Sequence, residues 1–260
     1  MGRKFLQGIA IGVAFVLPGI SAGTVILLLG FYRKFLDDLS RVNLQPYLIH
    51  ILGGAVGALA GVRVIGYLMD RDDTHILLMA FLLGALVASI RIVLAHSGKI
   101  KFAPVPLLIG AAGLLITWFI LCEPSPSLTV LPPSSLLHFF LGGAVASATM
   151  LLPGVSGSSA LLIMNLYHEV INAVYHWQWL KLSVFTAGCL VGLFSLARLL
   201  SALYRRYSNE VSFLLAGLIL GSTRALLPDP AQITPAVIAA ALAGALLVIY
   251  FGSRRIPTDH

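Results

Sequence analysis

Long apolar runs, broken at short intervals by glycine and proline, dominate the 260-residue chain. Six of them approach the roughly 20 apolar residues that a membrane-crossing helix needs: residues 46–69, 75–95, 103–122, 179–203, 211–227 and 233–252. Four are shorter. Residues 5–17 and 21–36 flank Pro18-Gly19, and residues 136–152 and 156–173 flank Pro153-Gly154. Each short pair therefore predicts two half-helices joined by a tight turn, a re-entrant hairpin; two full but short spans are the alternative that the lengths leave open.

The two halves repeat each other. Pro18-Gly19-Ile20-Ser21-Ala22-Gly23-Thr24 recurs 135 positions on as Pro153-Gly154-Val155-Ser156-Gly157-Ser158-Ser159. The same offset relates Gly8 to Gly143, Tyr32 to Tyr167, Gly53 to Gly188, Gly57 to Gly192 and Arg63 to Arg198. After two residues of drift, Gly84 to Arg91 aligns with Gly217 to Arg224. Short apolar segments interrupted by Gly and Pro at matching places in two halves point to the substrate site of a transporter.

Charge placement orients the halves, because short cytoplasmic loops are rich in Lys and Arg. With the amino terminus inside, Arg3, Lys4, Arg33, Lys34 and Arg41 fall on that side, as do Lys99, Lys101, Arg205, Arg206, Arg254 and Arg255. The Pro/Ser-rich connection from Pro124 to Ser135 carries no Lys or Arg and falls outside. Each repeat crosses an odd number of times, so the second is inverted. The expected fold is an all-α polytopic membrane protein of two inverted-topology repeats, each a re-entrant helical hairpin plus three transmembrane helices. Residues 1–123 form the first (hairpin 5–36), 124–135 an outer linker and 136–260 the second (hairpin 136–173). Both termini are expected in the cytoplasm of a bacterial or archaeal cell, with the chain in its inner membrane.

Composition excludes the soluble classes: 58% of residues are hydrophobic, 10% are charged and the mean hydropathy is +0.96. The net charge of +7 comes from the inside loops. It forms no basic stripe with interleaved aromatics, so no nucleic-acid partner is expected. Cys122 and Cys189 lie in apolar runs without metal-ligand spacing; no metal and no cofactor is expected. The amino-terminal run after Arg3-Lys4 lacks a small-residue cleavage site and belongs to the repeat, so it is expected to stay in the mature chain.

At a hairpin tip, proline ends the incoming helix and glycine permits the tight path that follows. Ser21 and Ser156 then begin the next helix, where a hydroxyl either caps free N–H groups or leaves them to an anion. Thr24, Ser158 and Ser159 add hydroxyls, and Gly23 and Gly157 add backbone N–H groups. Two such tips would form a paired anion site at membrane depth. Arginine within a span is costly and implies an anionic partner, and its planar fork suits phosphate. Arg63 and Arg224 are expected toward the outer face, Arg91 and Arg198 toward the inner; for Arg91 and Arg224, snorkelling to lipid headgroups is the alternative left open. Interior placement is expected for Arg63 and Arg198, which follow Gly53-x-x-x-Gly57 and Gly188-x-x-x-Gly192; those glycines suit close helix packing, against the hairpins. Carboxylates for coupling are few: Asp37, Asp38, Glu123 and Glu169, of which Glu169, after Tyr167-His168, is the chosen candidate and otherwise a solvated rim residue. Asn165 replaces Gly30 of the first half with no assigned role.

The segments GVAFVLPGISAGTVILLLGFYRKFLDDL and ASATMLLPGVSGSSALLIMNLYHEVINA resemble the two signatures of the domain of unknown function 368 family of polyprenyl-phosphate translocases. The resemblance covers nearly the whole chain. It implies a flippase, not an enzyme, that returns undecaprenyl phosphate from the outer to the cytoplasmic leaflet for peptidoglycan and other cell-wall biogenesis, with polyprenyl phosphate and membrane lipids as partners. The chain departs from the family's pattern where Ala14-Phe15 replaces an acidic stretch, where Ser21-Ala22-Gly23 replaces SGG, and at Arg33. Two alternatives follow. A membrane undecaprenyl pyrophosphate phosphatase shares the PGxS hairpins, but residues 8–17 hold no carboxylate and Gly157 stands where such an enzyme places arginine. A transporter of a small soluble anion would need a more polar pathway.

Overall fold

The structure, a computed structural model, describes residues 1–16, 21–69, 72–95, 103–121 and 135–253. Among these residues every element is helical. The first half comprises α1 (Gly2–Val16), α2 (Ala22–Leu28), α3 (Tyr32–Ser40), α4 (Leu48–Met69), α5 (Asp72–Ala95) and α6 (Pro104–Ile116). The second comprises α7 (Leu136–Leu151), α8 (Gly157–Ile163), α9 (Tyr167–Tyr175), α10 (Trp179–Arg206), α11 (Ser208–Ser222) and α12 (Pro235–Ser253). A wide π turn, Thr117–Leu121, extends α6, and a 3-10 turn, Thr223–Leu226, extends α11. Three stretches, Gln45–Val64, Thr74–Ala95 and Trp179–Arg206, are helical, long and apolar enough to cross a membrane. Pro104–Phe119, Leu136–Leu151 and Pro235–Tyr250 are shorter apolar helices.

Helix-forming stretches fall where the apolar runs predict them, with one exception. The returning arms expected as single half-helices over 21–36 and 156–173 are each broken in two. Gly30 (φ 78°) separates α2 from α3, and Asn165 (φ 54°) separates α8 from α9. Both lie in the left-handed region, which glycine enters freely and asparagine more readily than other side chains. That explains the exchange of Gly30 for Asn165 between the halves. A second matched pair, Val42 (φ 58°) and Trp177 (φ 51°), turns the chain after α3 and after α9. The outgoing arms α1 and α7 have 15 and 16 residues, roughly 23 Å each at 1.5 Å per residue. They are longer than half a bilayer core and shorter than all of it.

Glycine seams join the helices in pairs. Gly8 meets the backbone of His50 and Gly53, while Gly12 meets Gly54 and Ala58. Contacts that advance together along both chains mean that α1 and α4 run parallel. A Cβ on Gly57 would lie 2.2 Å from the Ile9 carbonyl, so a larger residue there must force the helices apart. The second half repeats the seam: Gly143 against Phe185, Gly188 against Phe140, Gly192 against Ala144. These GxxxG pairs thus pack on α1 and α7, the helices that lead into the two Pro-Gly motifs. The other apolar helices exchange partners between halves. Gly110 and Gly113 of α6 meet Phe213 and Leu214 of α11, and Gly84 of α5 meets Ala241 of α12. The α6–α11 contacts again advance together, which makes that pair parallel too. The largest buried cluster lies between the halves, drawing Leu27, Tyr32 and Leu36 from the first hairpin, Leu86 and Val93 from α5, and Leu215 and Ile219 from α11.

Candidate functional site

The segment that follows Pro18-Gly19 converges on the second Pro-Gly turn, distant in sequence. Pro18 and Gly19 lie outside the described residues, but the residues after them contact the second turn directly. Ser21 caps α2, accepting from the Thr24 N–H at 3.2 Å, and its hydroxyl donates to the Leu152 carbonyl at 3.2 Å. Thr24, completely buried, accepts from the Gly154 N–H at 3.2 Å. The Tyr32 hydroxyl donates to the Leu151 carbonyl at 2.7 Å. Carbonyls at a helix C-terminus have no partner within the helix, so Ser21 and Tyr32 of the first hairpin satisfy the end of α7. Gly23 allows the approach, since a Cβ there would sit 2.6 Å from the Leu151 oxygen.

Side chains at the second tip face the other way. Pro153 is buried, Gly154 (φ 82°) is half-buried and rests against Leu218, Ile219 and Ser222 of α11, and Gly157 is buried against Ala146 and Met150. Ser156 makes no capping bond to α8. It is exposed, as is Ser158, and their hydroxyls pair at 2.7 Å. Ser159, which matches buried Thr24, is half-buried. One tip thus spends its hydroxyls on holding the other, and the other turns a pair of them outward. Glu169 is half-buried in the first turn of α9.

The arginines are distributed around this centre. Interior placement of Arg63 and Arg198 is not found: both are exposed, as is Arg91. Six residues at about 100° each carry a side chain roughly 240° around the helix from the glycine before it, off the packed seam. Arg198 nevertheless turns onto α3, its Nε donating to the Ser40 carbonyl at 3.1 Å. Arg224 is half-buried; one guanidinium nitrogen donates to the Trp118 carbonyl at 2.7 Å, and Cζ lies 5.6 Å from the Trp118 ring centroid.

A polar cluster between α3 and α10 has no precedent in the sequence reading. Asp37 accepts from the hydroxyl of buried Ser201 and pairs with Arg205 at 3.3 Å, while Arg205 also donates to Ser201 at 3.1 Å. Tyr32 meets Tyr204 edge-on at 6.3 Å beside it. Asp37 appears among the coupling carboxylates, and the duplication marks Tyr32, but neither signal names the partner. Tyr47 similarly holds Asp38, at 2.9 Å. Among the described residues no group of His, Cys, Asp and Glu is placed to hold a metal ion.

These features define a membrane protein, helical throughout its described residues, whose halves are knit together where Ser21 and Thr24 meet the second Pro-Gly turn. The chain belongs to the undecaprenyl phosphate translocase-like family, whose profile matches residues 4–87 and 71–244. A protein of Vibrio cholerae serotype O1 named polyprenyl-phosphate transporter is 30% identical over 248 residues, spanning 86% of this chain and 77% of its own. A Staphylococcus aureus protein of the same name is 28% identical over 244 residues, spanning 86% of each. No solved structure matches.

Proposed function

We propose that the chain carries polyprenyl phosphate across a bacterial or archaeal cell membrane, returning undecaprenyl phosphate from the outer to the cytoplasmic leaflet for reuse in cell-envelope synthesis, without cleaving it. The observation that carries this reading is the bond between Thr24 of α2 and Gly154 of the second Pro-Gly turn, in a chain of this family. The relatives carry the name polyprenyl-phosphate transporter. Six crossings and two re-entrant hairpins, with residues 1–123 and 136–260 inverted and both termini cytoplasmic, make up the proposed topology. The parallel run of α6 with α11 supports inversion, because repeats of equal orientation would set these two helices antiparallel.

On this reading the outer-leaflet phosphate is captured at Arg63 and Arg224, passes the tips, where Ser156 and Ser158 offer hydroxyls, and is released beside Arg91 and Arg198. Guanidinium groups supply charge-assisted bonds to the phosphate oxygens, and the hydroxyls replace part of its hydration while it crosses. Glu169 is the candidate coupling group. The test is leaflet transfer of a short-chain polyprenyl phosphate in proteoliposomes, with inorganic phosphate release followed in parallel. Transfer without phosphate release is the expected result. Phosphate release would turn the reading into a phosphatase, and the absence of both would remove a prenyl substrate from it.

A further inference from the structure

An apolar groove of about 200 Å³ lies between α5, α6 and α11. Its floor is the seam where Gly110 and Gly217 bring α6 and α11 together, and its walls include Leu94, Leu107, Ala111 and Leu220. Every lining residue is apolar, and Leu107, Ala111 and Leu220 are exposed, so the groove opens sideways on the surface of the bundle. In water such a groove would be a liability; in a bilayer it is a slot that one hydrocarbon chain can enter from the side.

The end of the groove decides between hydrocarbon ligands. Because α6 and α11 run parallel, their groove-facing residues leave at the same end. Beyond Leu114 and Leu220 the two helices pass into the π turn that carries Trp118 and the 3-10 turn that carries Arg224, side by side at that end. Here the Arg224 guanidinium lies over the Trp118 indole and donates to the Trp118 carbonyl. A slot for a single hydrocarbon chain therefore terminates in one cation held on an aromatic ring. A guanidinium makes charge-assisted bonds to phosphate oxygens, and a phosphate monoester on one long chain has both required parts in the required order.

We propose that the groove between α5, α6 and α11 holds the isoprenoid chain of polyprenyl phosphate while the phosphate engages Arg224. This rests on the transport reading and adds to it a site for the chain, which would otherwise stay in bulk lipid. Only part of a long prenyl chain fits the groove, so recognition falls on the isoprene units nearest the phosphate, and chains of different total length bind alike.

The experiment uses the full chain in proteoliposomes with a short-chain polyprenyl phosphate that carries a diazirine on its second isoprene unit. After photolysis, labelled peptides are mapped, with unlabelled polyprenyl phosphate or phosphatidylglycerol as competitor, and leaflet transfer is measured in the same vesicles. Label on peptides containing Leu107, Ala111 or Leu220, competed by polyprenyl phosphate and not by phosphatidylglycerol, is expected. Ala111→Phe should fill the slot and weaken labelling about tenfold, the scale of two lost buried methylenes. Ala112→Phe, which adds the same bulk at an exposed neighbour outside the lining, should leave it unchanged. Equal competition by phosphatidylglycerol would make the groove a general lipid contact and overturn the proposal. Transfer with label confined to other helices would overturn it and leave transport standing. Specific label without transfer would do the reverse.

Discussion

Thr24 and Gly154 are joined by a 3.2 Å hydrogen bond that spans 130 residues of sequence, and Thr24 is wholly buried where it accepts that bond. The bond ties one half of the duplication to the turn of the other. Removing the acceptor while keeping the shape should leave the Gly154 N–H without a partner, at a cost of about 1–3 kcal/mol. Thr24→Val is expected to unfold correspondingly earlier in detergent, and Thr24→Ser to behave like the parent. Equal stability of the two variants in an equilibrium denaturation series would contradict the role given to this hydroxyl.

Left-handed backbone at Val42 gives a prediction of opposite sign. A β-branched residue at φ 58° is strained, and left-handed backbone costs an L-residue about 1–2 kcal/mol. Val42→Asn should therefore stabilise the protein by up to about 1 kcal/mol, and Asn165→Val should destabilise it by a similar amount. Asn165→Gly should change little. Thermal unfolding of the three variants checks the set.

Asp37 and Arg205 form an ion pair whose side chains are 36% and 54% exposed. Solvent screens such a pair, so a double-mutant cycle with Asp37→Asn and Arg205→Gln should give a coupling below about 1 kcal/mol, falling further with added salt. A coupling of several kcal/mol would mean that the pair is shielded in the membrane-embedded protein.

On the proposed lipid path, Arg63→Ala and Arg198→Ala should each slow leaflet transfer more than Arg71→Ala, which lies in the acidic stretch Asp70-Arg71-Asp72-Asp73. Transfer at equal rates in all three, at equal protein density per vesicle, would take the arginines off the path.

Helix positions and glycine seams are legible in the sequence because each rests on a local pattern: the length of an apolar run, or glycines four residues apart. The break in each returning arm was missed even though its marker, Gly30 against Asn165, was in view. A lone glycine between apolar residues does not distinguish a kink from a packing contact, and an asparagine on an apolar helix does not by itself announce positive φ. The use of Ser21 and Thr24 was half legible: local spacing predicts the α2 cap, while bonds to Leu152 and Gly154 depend on how the halves dock. The α3–α10 cluster was invisible for the same reason. The 135-residue offset maps Asp37, Ser201 and Arg205 onto Asn172, Gly66 and Asp70, which cannot form the same cluster, so the duplication gave no hint of it.

The capping of α7 by Ser21 and Tyr32 also sets the order in which the protein can be completed. Chains emerge amino terminus first at about 5–20 residues per second. The 130 residues between Thr24 and Gly154 therefore take roughly 7–26 s to follow at that pace. Throughout that interval the first tip has none of its partners from the second half, and the Ser21 and Tyr32 hydroxyls lack the α7 carbonyls they will cap. The first half is thus inserted as an open docking face and reaches its final form only when its own copy arrives.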